Sequence, residues 1–300
     1  MANVVNYVTQ YQPTLIQLYK EGVFTNGLTT APERVSFLGA QTIRIPYLQM
    51  SGYRDYDRAG GFERGSIKND FQTFTMRHDR GAKFMVDTVD VDETNQALSA
   101  ANVTGVFETE CAIPETDAYR MSIMYTDWIA AGKTADATAL SATTILQKFD
   151  TYMEAMDEAE VPQDGRIMYV TPAVYTMLKN AQEISRQIDV GNSGNRIYRS
   201  VRSLDDVTIV KMPSSRMKTV YDWNPDANEF KAFTPGAGAA QINLALVHPR
   251  SVIAVNKHSF INLMPPGTHT DGDGYVYMNR QYWDLFVIPN RADGIMMNVT

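Results

Sequence analysis

The residues here whose types could do chemistry are four histidines, one cysteine and a few acidic or glycine-rich clusters. His78, His248, His258 and His269 form no HExxH or other tight ligand pair, and Cys111 has no second cysteine beside it. Metal sites need several such donors at short spacing. These histidines therefore read as surface or hydrogen-bonded side chains. Asp271-Gly272-Asp273-Gly274 opens like a calcium loop but lacks the later ligands and the distant glutamate, so it reads as a turn. Gly191-Asn192-Ser193-Gly194 has the wrong spacing for a nucleophile elbow. Gly236 and Gly238 make half a dinucleotide fingerprint, with no strand before them and no third glycine after. No P-loop is present, and nothing singles out one carboxylate pair for acid–base work. The expectation is a protein with no catalytic residues, no cofactor and no metal, and therefore not an enzyme.

Composition narrows the partners. The chain has 300 residues, 44% hydrophobic and 20% charged, with a net charge of -7. That is ordinary globular material for one large or two modest domains. An acidic balance argues against a surface given over entirely to DNA, since phosphate binding needs clustered Lys and Arg. One local cluster runs the other way: Arg196, Arg199, Arg202, Lys211, Arg216 and Lys218. Contact with DNA or with an acidic neighbour is one reading. A solvated loop balanced by Asp205 and Asp206 is the other. Cys111, alone, reads as a small buried hydrophobe. The N-terminus lacks the basic and apolar regions of a signal peptide, and no run reaches the length of a membrane span. A soluble, cytoplasmically made protein is expected, with no membrane partner.

Residues 1–40, punctuated by Gly22, Asn26-Gly27, Pro32 and Gly39, read as an arm resting on something else. Residues 41–49 alternate Ile43, Ile45 and Tyr47 against Thr42, Arg44 and Pro46, which predicts a strand with one buried side. A polar, glycine-rich stretch around Gly60-Gly61 follows, then a strand at Phe71–Arg77, a turn at Asp79-Arg80-Gly81, and a strand at Lys83–Val89. The stretch reads as the tip of a protruding hairpin. Extended from Thr42 to Gly60 it would reach about 60 Å at roughly 3.3 Å per residue. The expected radius of gyration of a compact chain this long is roughly 19 Å. Such an arm needs a neighbour.

Asp90 with Glu93 three residues on predicts a capped helix to about Glu110. Pro114 predicts a kink or break. A second helix follows, with Ala118, Met121, Tyr125, Trp128 and Ile129 on its inner face. Ser141 caps a third helix with Ile145, Leu146, Phe149, Tyr152, Met153 and Met156 inward. Ile167–Val170 is a buried strand, and Thr171-Pro172 starts another helix with Val174, Tyr175 and Leu178 inward. Further strands are expected at Val207–Met212, Ile242–Val247 and Val252–Asn256, a break at 265–274, and an unusually long closing strand at Tyr275–Ile288.

This order of parts, and the segments VDVDETNQALSAANVTGVFETECAIPETDAYR, GRIMYVTPAVYTMLKN and GYVYMNRQYWDLFVIPNRADGIMMNV, resemble the Hong Kong 97 fold of tailed-phage major capsid proteins. The resemblance spans almost the whole chain. It implies an α+β fold with an N-terminal arm at 1–40 and an extended β-hairpin loop at 41–89. It further implies a peripheral domain with a spine helix at 90–134 and 265–300, and an α/β axial domain at 135–264. The implied function is self-assembly into pentamers and hexamers of an icosahedral head around double-stranded DNA. A separate scaffolding protein and a portal are implied partners, because this chain begins with the arm itself. Assembly in the host bacterial cytoplasm and residence in the virion follow. Tyr53, Arg54, Asp55, Asp57, Arg58, Glu63, Arg64 and Lys68 of the loop are the expected inter-subunit contacts. Lys68 lies in the loop that carries a cross-linking lysine in some members. Nothing in the sequence identifies its Asn partner or a catalytic Glu, and no cross-link is expected. The rivals are another virion structural protein, such as a mostly β tail-tube subunit, or a cytoplasmic enzyme with a scattered site.

Overall fold

The computed structural model describes residues 22–29, 36–38, 41–56, 58, 60–93, 100–181, 203–225, 231–270 and 272–300. Most of the expected N-terminal arm lies outside them. Among the described residues helix and sheet are mixed, and the strands fall into three main sheets plus one short pair. Among the described residues no helix is long and apolar enough to cross a membrane.

The first sheet is the expected hairpin. Strands β1 (Ser36–Leu38), β2 (Thr42–Met50) and β3 (Ile67–Thr75) pair in that order. Register runs from Thr42 opposite Thr75 to Met50 opposite Ile67, so the hairpin is long and its loop is residues 51–66. Strand β3 starts earlier than its pattern suggested.

The expected turn at Asp79-Arg80-Gly81 is instead the start of strand β4 (Asp79–Asp87). Its partner is remote: Asp79 sits opposite Tyr282 and Gly81 opposite Arg280. The second sheet is β11 (Val252–Met264), β12 (Gly274–Val287) and β4. Strand β12 is the long closing strand that the sequence predicts. Strand β11 runs eight residues past its expected end at Asn256, held by twelve register pairs along β12.

Between β4 and the next sheet lies the helical spine. Helix α1 (Thr88–Glu93) begins before Asp90, and the cap is Asp87, whose carboxylate accepts from the Val89 N–H at 2.8 Å. Helix α2 (Ala100–Phe107) passes through a π turn at Glu108–Ala112 into α3 (Ile113–Ala130). The expected break at Pro114 does not occur, since Phe107, Ala112 and Ile113 all keep right-handed helical dihedrals. Pro114 sits in the first turn of α3, and the wider turn just before it accommodates the missing N–H. Met121, Met124 and Trp128 are fully buried under α3, while Ile129 faces out, contrary to expectation.

The third sheet has order β13-β10-β5-β7-β6. Its strands are β5 (Ile167–Val170), β6 (Ser203–Leu204), β7 (Val207–Lys211), β10 (Ile242–Val247) and β13 (Ile295–Val299). Strands β5 and β7 pair in parallel. Helix α4 (Ile145–Glu158) buries Ile145, Phe149, Tyr152 and Met156 against this sheet with α5 (Pro172–Asn180). Thr171 caps α5 by accepting from Val174. Strand β13 was not foreseen; it carries the last residues of the chain back to β10. Asp205 and Asp206, both at positive φ, form the tight turn between β6 and β7 rather than a loop. The short pair is β8 (Tyr221–Asp222) with β9 (Thr234–Pro235).

Candidate assembly surface

The base of the hairpin is bound to its own chain. Ile43, Ile45 and Met76 bury against Ile253, Val255, Tyr282, Phe286 and Ile288 of the second sheet. Arg77, at the exit of β3, makes two 3.0 Å bonds to Asp127 of α3 and its backbone N–H donates to Asp284 at 2.7 Å. Asp284 is fully buried and also accepts from the Tyr119 hydroxyl at 3.0 Å. Burial raises the pKa of Asp284, and the backbone N–H groups of Arg77 and Leu285 and the Arg77 charge oppose that rise. The hairpin therefore leaves the body at an angle set by a dense polar node.

Beyond the base the hairpin is left uncovered by the other described residues. Leu48, Met50, Ile67 and Phe71 are exposed along its strands. At the loop, Tyr53 is wholly exposed and Phe62 is 90% exposed. Large apolar side chains in such a row on one protruding element mark a contact surface. The loop has internal order of its own: Tyr56 meets Phe62 edge-on at 4.9 Å, and Arg54 reaches Glu63 at 3.4 Å. Asp55, Arg58 and Arg64 are exposed, and Lys68 pairs along its strand with Asp70 at 3.4 Å. Asp57 lies outside the described residues. Of the expected loop charges, then, Arg54, Glu63 and Lys68 already have partners in their own chain. Tyr56 and Phe62, which stand among these charges, carry no sequence signal of their own, because alternating Arg and Asp dominate the local pattern.

The expected basic cluster is not one face. Arg196, Arg199 and Arg202 lie outside the described residues. Lys211 is exposed, with its ammonium 5.8 Å from the Tyr175 ring. Lys218 is half-buried beside the Tyr221 hydroxyl. Arg216 is buried and bonded to Asp117 at 2.9 Å, so it is not presented to DNA or to a neighbour. Its charge is consumed in the fold.

That Asp117–Arg216 pair also fixes the segment at Phe24 and Thr25. Asp117 accepts from the Phe24 and Thr25 N–H groups at 3.1 and 3.0 Å and from the Thr25 hydroxyl at 2.7 Å. Arg120 donates to the same hydroxyl at 3.0 Å. Asp117 lies near the start of α3. Its true partners lie 92 and 99 residues away, beyond any local pattern.

Cys111 is half-buried rather than buried. It lines a cleft of about 650 Å³ between the π turn, β4, β12 and the Trp223 segment. Polar groups of that cleft are bound to one another: Arg80 pairs with Glu115, and Asn279 donates to Glu108 at 2.7 Å. His78 is packed between Tyr119 and Trp283 at ring distances of 4.0 and 4.3 Å.

No family model matches the sequence, and no curated protein does. Solved structures do match, over nearly the whole chain. The chain is similar to the capsid structure of cyanophage P-SCSP1u, at 12% identity and TM-score 0.69, covering 97% of this chain and 92% of that one. It is similar to the asymmetric unit of the bacteriophage PhiM1 mature capsid, at 16% identity and TM-score 0.67, covering 98% and 91%. It is also similar to a structure from Mycobacterium phage Che8, at 14% identity and TM-score 0.65, covering 99% and 98%. The chain has the fold of phage capsid proteins. The resemblance to tailed-phage major capsid proteins, read from the sequence, holds at the level of that fold.

Proposed function

We propose that this chain is a structural, non-enzymatic virion protein, the major capsid subunit of a tailed phage with a Hong Kong 97-type fold. One observation carries the reading. A hairpin anchored at Arg77 and Asp284 holds Tyr53, Tyr56 and Phe62 exposed among the described residues, where a neighbouring copy can cover them. Copies would close into pentamers and hexamers through head-to-tail contacts, which form rings when the rotation closes. Exposed ion pairs are worth only about 0.5 kcal/mol each, so the shell gains by summing apolar burial over many copies.

The N-terminal arm, extended loop, peripheral and axial domains are proposed in the same order as the sequence suggests. In this reading β11, which pairs with β12, is assigned to the peripheral domain, and β13, which pairs with β10, to the axial one. A separate scaffolding protein, a portal and non-specific contact with double-stranded DNA complete the proposed partners, with assembly in the host cytoplasm. A tail-tube role is disfavoured by the helical path from Ala100 to Ala130, which a mostly β tube subunit would lack. Electron microscopy of the expressed chain, alone and with candidate scaffolds, tests the reading. Shells or capsomer rings are expected; a monomer or dimer under every condition overturns it.

A further inference from the structure

The cleft at Cys111 is built like a ligand site. Its floor is one face of β4 and β12, where Ala82 lies opposite Asn279 and Phe84 opposite Tyr277. Its walls come from the π turn and from the segment at Trp223–Pro225. At about 650 Å³ it falls within the range of small-molecule pockets, roughly 300–1,000 Å³. Phe84, Phe107, Trp223 and Trp283 bring four aromatic rings to it. A π turn inside a helix is often found at a functional site. This one places Glu108 and Cys111 on the cleft.

Asn279 is the buried polar group of the floor, at 4% exposure. Its Nδ2 donates to Glu108 Oε1 at 2.7 Å and to the Tyr277 hydroxyl at 2.9 Å. An ionised carboxylate only accepts, so Glu108 fixes which end of the amide faces it. Oδ1 is left with no hydrogen-bond partner among the described residues. A buried acceptor is costly to leave in that state. The Tyr277 hydroxyl also donates to Glu108 Oε1, at 3.1 Å, so both bonds fall on one oxygen. Glu108 Oε2 accepts nothing among the described residues. Arg80 spends its charge on Glu115 and on the Trp223 carbonyl. Lys231 also lines the cleft and has a contact of its own. What remains to be met is a pair of acceptors, one of them a carboxylate, beside four rings. The complementary molecule brings N–H donors and positive charge on a flat aromatic body.

We propose that this cleft binds a small aromatic cation, an amidinium or ammonium carried on a fused ring. The head group donates to Glu108 Oε2 and Asn279 Oδ1, and the ring lies among the four aromatic side chains. The site is formed within one copy of the chain. It therefore goes beyond the assembly reading and stands or falls without it.

Three probes share one ring and differ only in the head group: 2-naphthamidine, 2-naphthamide and 2-naphthoate. Calorimetry on the unassembled full-length chain is expected to show naphthamidine binding once per chain. It should bind about tenfold more tightly than the neutral amide, and naphthoate should not bind. Cys111 reports the location, because it is the one cysteine of the chain and lines the cleft. Saturating naphthamidine should slow its alkylation by iodoacetamide several-fold. Glu108→Gln keeps an oxygen to accept from Asn279 and Tyr277 but removes the charge. It should weaken naphthamidine about tenfold and leave naphthamide unchanged. Ala82→Leu grows from the floor into the cleft and should abolish binding of both, with an unchanged circular dichroism spectrum. The proposal is overturned if naphthamidine does not bind, if amidine and amide bind alike, if Glu108→Gln weakens both equally, or if folded Ala82→Leu binds as the unaltered chain does.

Discussion

Asp117 and Arg216 form an ion pair at 2.9 Å with their side chains 0% and 4% exposed, joining α3 to the segment before β8. The same carboxylate holds Phe24 and Thr25. Removing one partner of a buried pair strands the other charge, at a cost of about 3–5 kcal/mol. Asp117→Ala should therefore lose on the order of that stability in denaturant unfolding. Asp117→Leu combined with Arg216→Met should lose clearly less than Asp117→Ala. Equal losses would mean that the charge pairing is not the source.

Two phenylalanines separate folding from assembly. Phe149 is fully buried between α4 and the third sheet, and Phe62 stands 90% exposed at the hairpin loop. Phe149→Ala should cost about 3–5 kcal/mol, the usual range for a buried aromatic. Phe62→Ala should leave the melting temperature of the subunit within a degree or so, as surface substitutions away from special contacts do. It should reduce particle yield. If Phe62→Ala assembles at full yield, the loop aromatics are not contact residues.

What could be read locally was read. Strand β5 and helix α5 appear where hydrophobic period, Thr171 and Pro172 put them, and β12 shows its length in the sequence. Failures share a cause: the deciding partner is remote. Asp79-Arg80-Gly81 looks like a turn until Arg280 to Tyr282 pairs with it. Strand β11 looks finished at Asn256 because its outer half is exposed and, among the described residues, held by β12 alone, so no alternation marks it. The candidate surface was half legible. Its position and Tyr53 were visible, but Phe62 and the Arg77–Asp284 anchor depend on which side chains the fold leaves uncovered or brings together.

His78 sets an acid limit on stability. Burial between Tyr119 and Trp283, with the Arg80 charge nearby, lowers its pKa from 6.5 to about 3, against a smaller opposing pull from Asp79. The unfolded chain takes up this proton near pH 6.5 and the folded chain only near pH 3. The unfolded state thus binds more protons in that window, and stability falls as pH falls through it. The slope approaches about 1.4 kcal/mol per pH unit from this one group. Melting temperature followed from pH 7 to pH 4 should drop more steeply for the unaltered chain than for His78→Phe, which keeps the ring between its neighbours. Parallel curves would assign the acid sensitivity elsewhere.

Deleting Tyr53 to Gly65 tests the hairpin as a whole. The base stays intact, because Ile43, Ile45 and Met76 lie outside the deletion and keep their packing on Ile253, Val255 and Phe286. Strand pairing from Thr42–Thr75 to Met50–Ile67 also survives, now closed by a short turn through Ser51, Gly52 and Ser66. The truncated chain should therefore fold, with circular dichroism and melting close to the original. It should fail to form shells, since the side chains lost include Tyr53, Tyr56 and Phe62, all of them exposed in the isolated subunit. Electron microscopy and sedimentation check both halves at once. A folded, truncated subunit that still builds normal particles would show that the hairpin loop is dispensable to the lattice, and that its aromatic side chains are covered by something other than a neighbouring copy.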